Sequence, residues 1–82
     1  MAKLDVKIVA MAAGITWSIS MLFLGWVAIF GWGKAMVEVL SSLYIGYEPT
    51  LLGGVIGGLW GLIDGAIGGA IFALIYNRIV KD

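Results

Sequence analysis

The chain lacks cysteine and histidine altogether, and only 12% of its 82 residues are charged. These absences exclude disulfides and thiol chemistry, and they remove the commonest transition-metal ligands. The formal net charge is zero, with neither a basic tract nor an acidic tail, which argues against nucleic acid as a partner. We therefore expect a protein that is not an enzyme and has no cofactor and no metal site.

Apolar residues are abundant, at 62% of the chain. A soluble domain of this size cannot bury that much apolar surface, so the sequence predicts one integral membrane domain over residues 1–82, with the lipid bilayer as its surroundings. A membrane-crossing helix needs roughly 20 apolar residues. Two runs meet that length, the first span over about residues 6–30 and the second span over about residues 50–77.

The segment between the two spans is too short to cross a membrane. Gly31 and Gly33 interrupt the first apolar run, and residues 34–44 have the pattern of a short amphipathic helix lying along the membrane surface. Pro49 suits the first turn of the second span. The predicted fold is therefore an all-α helical hairpin of two transmembrane helices joined by a short interfacial helix.

The distribution of basic residues predicts the orientation. Most of the basic residues lie near the two ends of the chain, and one lies between the spans. Because cytoplasmic segments carry an excess of lysine and arginine, we expect both termini to be cytoplasmic. The terminal residues are Lys3, Lys7, Arg78 and Lys81, and the residue in the connection is Lys34.

Glycines recur along one side of the second span, many of them four residues apart. Glycine costs a soluble helix about 0.5–1 kcal/mol relative to alanine. In lipid, however, the exposed backbone lets another helix approach closely. The sequence therefore predicts a glycine zipper that packs against a helix of the same chain or of another chain. This glycine seam comprises Gly53, Gly54, Gly57, Gly58, Gly61, Gly65, Gly68 and Gly69, and the first span offers Gly14 and Ser18 as small counterparts.

Asp64 is the only charged residue of the second span before Arg78. At about 100° per residue it lies on the glycine seam, near the middle of the span. A carboxylate at that depth costs about 2.5–3.5 kcal/mol, which requires compensation. When depth in the membrane is counted from the two chain ends, Ser18 and Ser20 lie close to the level of Asp64 and are its expected hydrogen-bonding partners. Three roles remain open for this acid: a polar clasp between helices, a group facing water in a pore or proton path, and an ion pair with a different protein.

The residues from Gly57 to Asn77 include the pattern Trp-Gly-x-x-Asp-Gly-x-x-Gly-Gly followed by Tyr-Asn, and Tyr-Ile-Gly-Tyr with Pro49 precedes them. This combination resembles small two-span prokaryotic membrane proteins labelled phage-holin-like. The resemblance covers most of the chain. It implies an oligomeric protein of the prokaryotic cytoplasmic membrane, with pore formation among its activities, and it supplies no catalytic residues.

Two other interpretations explain some of the same features. Ring subunits of rotary ATPases are also hairpins with a glycine-rich helix and one buried carboxylate. Their short polar loop faces the cytoplasm, however, and their glycines lie mainly on the helix without the acid, so a proton-conducting ring subunit fits less well. A non-catalytic accessory subunit of a larger membrane complex accounts for the seam and for the absence of chemistry. The leading hypothesis is assembly through the glycine seam, as a holin-like oligomer or beside a partner complex.

Overall fold

The computed structural model describes residues 2–80. Helix α1 (Val6–Val27) continues into a 3₁₀ turn (Ala28–Phe30), the short helix α2 (Lys34–Leu40) follows, and the long helix α3 (Leu51–Ile79) completes the described chain. Over this range the protein is all-helical, without strands. The predicted fold class is confirmed, including the short middle helix.

Helices α1 and α3 form an antiparallel hairpin about 49 Å long. Each is long and apolar enough to cross a membrane, since an 18-residue window within Val6–Phe30 has a mean hydropathy of 1.8 and one within Leu51–Ile79 has 1.7. These bounds agree closely with the two predicted spans.

Both long helices begin at a side-chain cap. The Asp5 side chain accepts a hydrogen bond from the Ile8 amide at 3.2 Å, and Thr50 Oγ1 accepts one from the Gly53 amide at 2.8 Å. Such caps satisfy amides that have no partner within the helix. Because Thr50 supplies the cap, α3 begins after it, and Pro49 lies outside the first turn in which the sequence had placed it.

The two long helices approach each other at small residues. A Cβ added at Gly25 would lie 2.8 Å from Gly54 Cα, and one added at Gly65 would lie 2.7 Å from the Ala13 carbonyl oxygen. Real Cβ atoms do not come that close to backbone, so the distance between α1 and α3 depends on glycine at these positions. Bare backbone at these positions lets two helices come this close.

The connection, defined as residues 31–50, folds back along the long helices. Gly31 and Gly33 have φ angles of 96° and 73°, a left-handed conformation that favours glycine, and they reverse the chain after the 3₁₀ turn. Helix α2 then packs on α1, with Val37 only 1% exposed. The buried cluster between the connection and the hairpin consists of Met21, Ala28, Val37, Tyr44 and Tyr47, with Leu24 and Leu40 packed against it.

The short middle helix ends earlier than predicted. Residues 34–44 were expected to be helical, but α2 ends at Leu40 and turns follow. Tyr44 and Tyr47, which lie in and just after these turns, are both buried. The Ile45 carbonyl accepts a hydrogen bond from Trp60 Nε1 at 2.9 Å. Since Trp60 is nine residues into α3, the connection descends about 14 Å along that helix.

Candidate functional site

The glycine seam of α3 has two different partners inside this chain. Gly53 and Gly57 face the connection: an added Cβ would collide with the Glu48 backbone at the first and with the Tyr47 ring at the second. Gly68 is the exception, because a Cβ added there would meet nothing within 4 Å. The seam glycines that face α1 are Gly54, Gly58, Gly61, Gly65 and Gly69.

The predicted counterparts on α1 do lie at this contact. A Cβ on Gly14 would be 2.8 Å from the Leu62 carbonyl oxygen, and Ser18 lies against Gly58 and Gly61. The sequence left open whether the seam serves contacts within the chain or between chains. The structure uses seven of its eight glycines internally and leaves Gly68 uncovered.

Tyr47 fills the space that one seam glycine provides. Its side chain is 1% exposed, its ring lies against Gly57, and its hydroxyl donates a hydrogen bond to the Met21 carbonyl oxygen at 2.6 Å. A buried hydroxyl needs such an acceptor, because leaving it unpaired would cost about 1–3 kcal/mol. Tyr47 therefore joins the connection to both long helices.

Asp64 is held by a chain of side-chain hydrogen bonds. Trp17 Nε1 on α1 donates to the Tyr44 hydroxyl at 3.0 Å, and that hydroxyl donates to Asp64 Oδ2 at 2.5 Å. The Tyr44 ring also stacks on Trp60, with ring centroids 6.0 Å apart and planes within 5°. Burial, followed by the hydrogen bond to Asp64, raises the pKa of the Tyr44 hydroxyl, so it acts as a neutral donor. One residue from each of α1, the connection and α3 meets at this point.

The expectation that Ser18 and Ser20 are the partners of Asp64 is wrong. Ser20 Oγ donates instead to the Thr16 carbonyl oxygen at 2.9 Å, one turn back along its own helix. The contact of Gly65 with Ala13 shows that the acid lies about one turn nearer the start of α1 than the count from the chain ends suggested. Counting along two helices also cannot reveal that the connection folds back between them.

The missed residue is Tyr44, the last residue of the segment 34–44 that the sequence predicts as a short helix along the membrane surface. Its buried position depends on turns after Leu40 that helical periodicity does not report. The available signal was chemical: Tyr44 and Tyr47 lie on either side of Gly46 in a short connection between two long apolar runs. Two phenol groups beside a glycine turn need acceptors, and Asp64 is the acid in the adjoining helix.

Beyond this hydrogen-bond network, toward Ile79, one side of α3 is uncovered. We call Asp64, Gly68 and Ile71 the open face; their spacing of four and three residues places them on one side of the helix. All three are exposed, Ile71 at 52%. The connection reaches Asp64 through Tyr44 but does not cover Gly68, so the open face combines a carboxylate, a bare backbone and an apolar side chain. Within residues 2–80 no group of three or more potential metal ligands accompanies it.

Comparison with known proteins does not assign a family. No protein-family model matches the sequence, and neither a curated protein nor a solved structure matches it. The holin-like resemblance thus stays a prediction, and the function must be inferred from the geometry of the hairpin.

Proposed function

We propose that this chain is a small, non-catalytic protein of the prokaryotic cytoplasmic membrane that assembles with other membrane helices through the open face of α3. The observation that carries the proposal is an exposed carboxylate, Asp64, in the middle of a helix apolar enough to cross the bilayer. In lipid, such a group costs about 2.5–3.5 kcal/mol on insertion scales. Assembly that covers the carboxylate, or surrounds it with water, offsets this cost.

The hydrogen bond from Tyr44 satisfies only part of the acid's capacity. A carboxylate offers about four acceptor sites, and the described chain supplies one side-chain donor to Asp64. Gly68 lies one turn away with open space in front of its backbone. A second helix can therefore approach closely at Gly68 and bring a polar group or water to Asp64.

Assembly with copies of the same chain is the first form of the proposal. Copies related by a symmetry axis would bring several Asp64 carboxylates around one point, where water must separate them because like charges repel. That arrangement agrees with the holin-like, pore-forming oligomer that the sequence suggests.

Assembly beside a larger membrane complex is the second form. Its support is charge complementarity, because the sequence has no lysine or arginine between Lys34 and Arg78 to pair with Asp64. A partner helix with one basic residue at mid-depth would supply the missing charge, and the protein would then act as an accessory subunit.

Engineered cysteines test the open face directly, since the natural chain contains none. For assembly with copies of the same chain, we expect Ile71→Cys to form disulfide-linked dimers when bacterial membranes are oxidised, and Ala12→Cys, which is exposed on α1, to form few. In the Ile71→Cys background, adding Gly68→Ile should prevent the disulfide by filling the space in front of Gly68. Adding Ala12→Ile to the same background should leave the disulfide unchanged. Cross-linking through Ile71→Cys that survives Gly68→Ile would exclude the open face as the contact.

A second measurement separates the two forms of assembly. For the homo-oligomer, the mass of the detergent-extracted particle should be a multiple of the chain mass, and dye leakage from vesicles should require Asp64. For the accessory subunit, the chain expressed alone should be monomeric and should cause no dye leakage. Extracted from its native membrane, it should copurify with one fixed partner, and Asp64→Leu should abolish that copurification. A monomer without a partner that tolerates Asp64→Leu would contradict both.

A further inference from the structure

A separate cavity of about 380 Å³ opens at the end of the hairpin where the described chain starts and stops. It is lined by two basic side chains, one amide and two apolar side chains. It is an open groove at the surface and not an enclosed pocket. The lining residues are Lys3, Leu74, Ile75, Asn77 and Arg78.

The Asn77 side chain builds this cavity by holding the start of the chain against α3. Its Nδ2 donates to the Leu4 carbonyl oxygen at 2.9 Å, and its Oδ1 accepts from the Leu4 amide at 2.7 Å. The two bonds fix an extended backbone segment at the last turns of α3. Lys3, the neighbour of Leu4, is thereby placed at the same cavity as Arg78.

The charges and the apolar floor of the cavity select for a particular ligand chemistry. Arginine and lysine are the usual donors to phosphate, arginine through two parallel hydrogen bonds. Asp5, the nearest acid in sequence, is engaged as the cap of α1 through the Ile8 amide. Leu74 and Ile75 present apolar surface beside the two cations. The cavity therefore suits an anion attached to an apolar tail.

We propose that this cavity binds the phosphate headgroup of an anionic phospholipid, with Lys3 and Arg78 contacting the phosphate and an acyl chain lying along Leu74 and Ile75. The cavity lies at the end of two apolar helices, where lipid headgroups meet water. The inference rests on the proposed membrane location and is independent of assembly through the open face.

Lipid binding to the full-length chain tests this site. Native mass spectrometry in detergent would compare phosphatidylglycerol with phosphatidylcholine, and we expect the wild type to prefer the anionic lipid. Each basic residue near a membrane surface contributes enough to change binding about fivefold. Lys3→Gln with Arg78→Gln should thus weaken phosphatidylglycerol binding by about 25-fold and phosphatidylcholine binding by less, because the choline cation of that lipid already balances the charge of its phosphate. The matched control is Lys34→Gln, at the start of α2, which should bind like the wild type.

Two further measurements separate a built lipid site from general attraction of charge. Asn77→Ala keeps both cations but releases Leu4, and it should also reduce the preference for phosphatidylglycerol while the helical circular dichroism stays unchanged. Glycerol phosphate at the lipid's concentration should not displace the lipid, because it lacks the tail. Any one of three results would overturn the proposal. The double variant could keep the preference for phosphatidylglycerol, Lys34→Gln could lose as much binding as the double variant, or glycerol phosphate could displace the lipid.

Discussion

The two halves of the hairpin are built differently although the same helices run through both. In the half nearer the connection, α1 and α3 share their surface with a third segment, whose Tyr44 and Tyr47 are 7% and 1% exposed. In the half nearer the termini, only α1 and α3 pack together, and the Asn77 side chain holds the first residues in place. The boundary between the halves lies at Asp64.

Gly57 and Gly68 show what this difference means for the glycine seam. They are 11 residues apart, or three helical turns, and so they lie on nearly the same side of α3. Tyr47 occupies the space in front of Gly57, whereas the space in front of Gly68 is open. On this side of α3, glycine thus serves internal packing in the half nearer the connection and leaves an uncovered surface in the half nearer the termini.

The largest expected effect comes from filling the space at Gly57. Gly57→Leu should displace the Tyr47 ring, which cannot move aside because it is buried and hydrogen-bonded to Met21. We expect the free energy of unfolding in detergent to fall by about 3 kcal/mol or more, the upper range for overpacking. Circular dichroism during denaturant titration measures this. Gly68→Leu is the matched control and should change stability by less than about 1 kcal/mol, the usual cost of altering an exposed site. Equal losses would show that the two halves do not differ.

The next largest effect concerns the hydrogen bonds at the boundary. Tyr44→Phe removes the hydroxyl that bridges Trp17 and Asp64, and it should lower the free energy of unfolding by about 1–3 kcal/mol. A double-mutant cycle with Asp64→Leu isolates the pair, since the effect of Tyr44→Phe should shrink once the acid is absent. Additive effects of the two changes would mean that the bond contributes nothing to stability.

A smaller effect is expected at the cap that starts α3. Thr50→Ala should cost about 1 kcal/mol, because the Gly53 amide loses its acceptor. Hydrogen exchange should locate the change in the first turn of α3, next to the end of the connection. Thr50→Ser keeps the oxygen and serves as the control, and an equal loss in both variants would assign the effect to the methyl group.

The smallest effect is expected on the outer side of α1. Ser20→Ala removes a hydroxyl that bonds only to the Thr16 carbonyl oxygen of its own helix, so stability should change by less than about 0.5 kcal/mol. Dye leakage should also be unchanged. A loss of stability comparable to that of Tyr44→Phe would mean that Ser20 does contribute to the polar contacts around Asp64.

Much of the fold could be predicted because it depends on local properties of the chain. Long apolar runs indicate the two long helices, and Gly31 with Gly33 marks the end of the first one. The glycine spacing predicts close helix contact, and the structure places five of the eight seam glycines against α1 and two, Gly53 and Gly57, against the connection. The end of α2 was less predictable, since its amphipathic pattern continues for four residues after the helix stops at Leu40.

The partner of Asp64 could not be predicted in the same way. Periodicity places a residue on a side of its own helix, but it contains no information on the register between two helices or on the path of a connection. Ser18 and Ser20 were reasonable donors at the depth obtained by counting, and a shift of about one turn together with the folding back of the connection replaced them with Tyr44.

The sequence by itself therefore determined the two long apolar helices, the short helix between them, the glycine seam and the position of the acid along its span. All of these follow from composition and spacing within a few turns of helix. Only the tertiary structure decided that Tyr47 fills the space at Gly57, that Tyr44 binds Asp64 and that nothing within residues 2–80 covers Gly68. These outcomes depend on contacts between residues distant in sequence, where the fit of rings against backbone selects the partners.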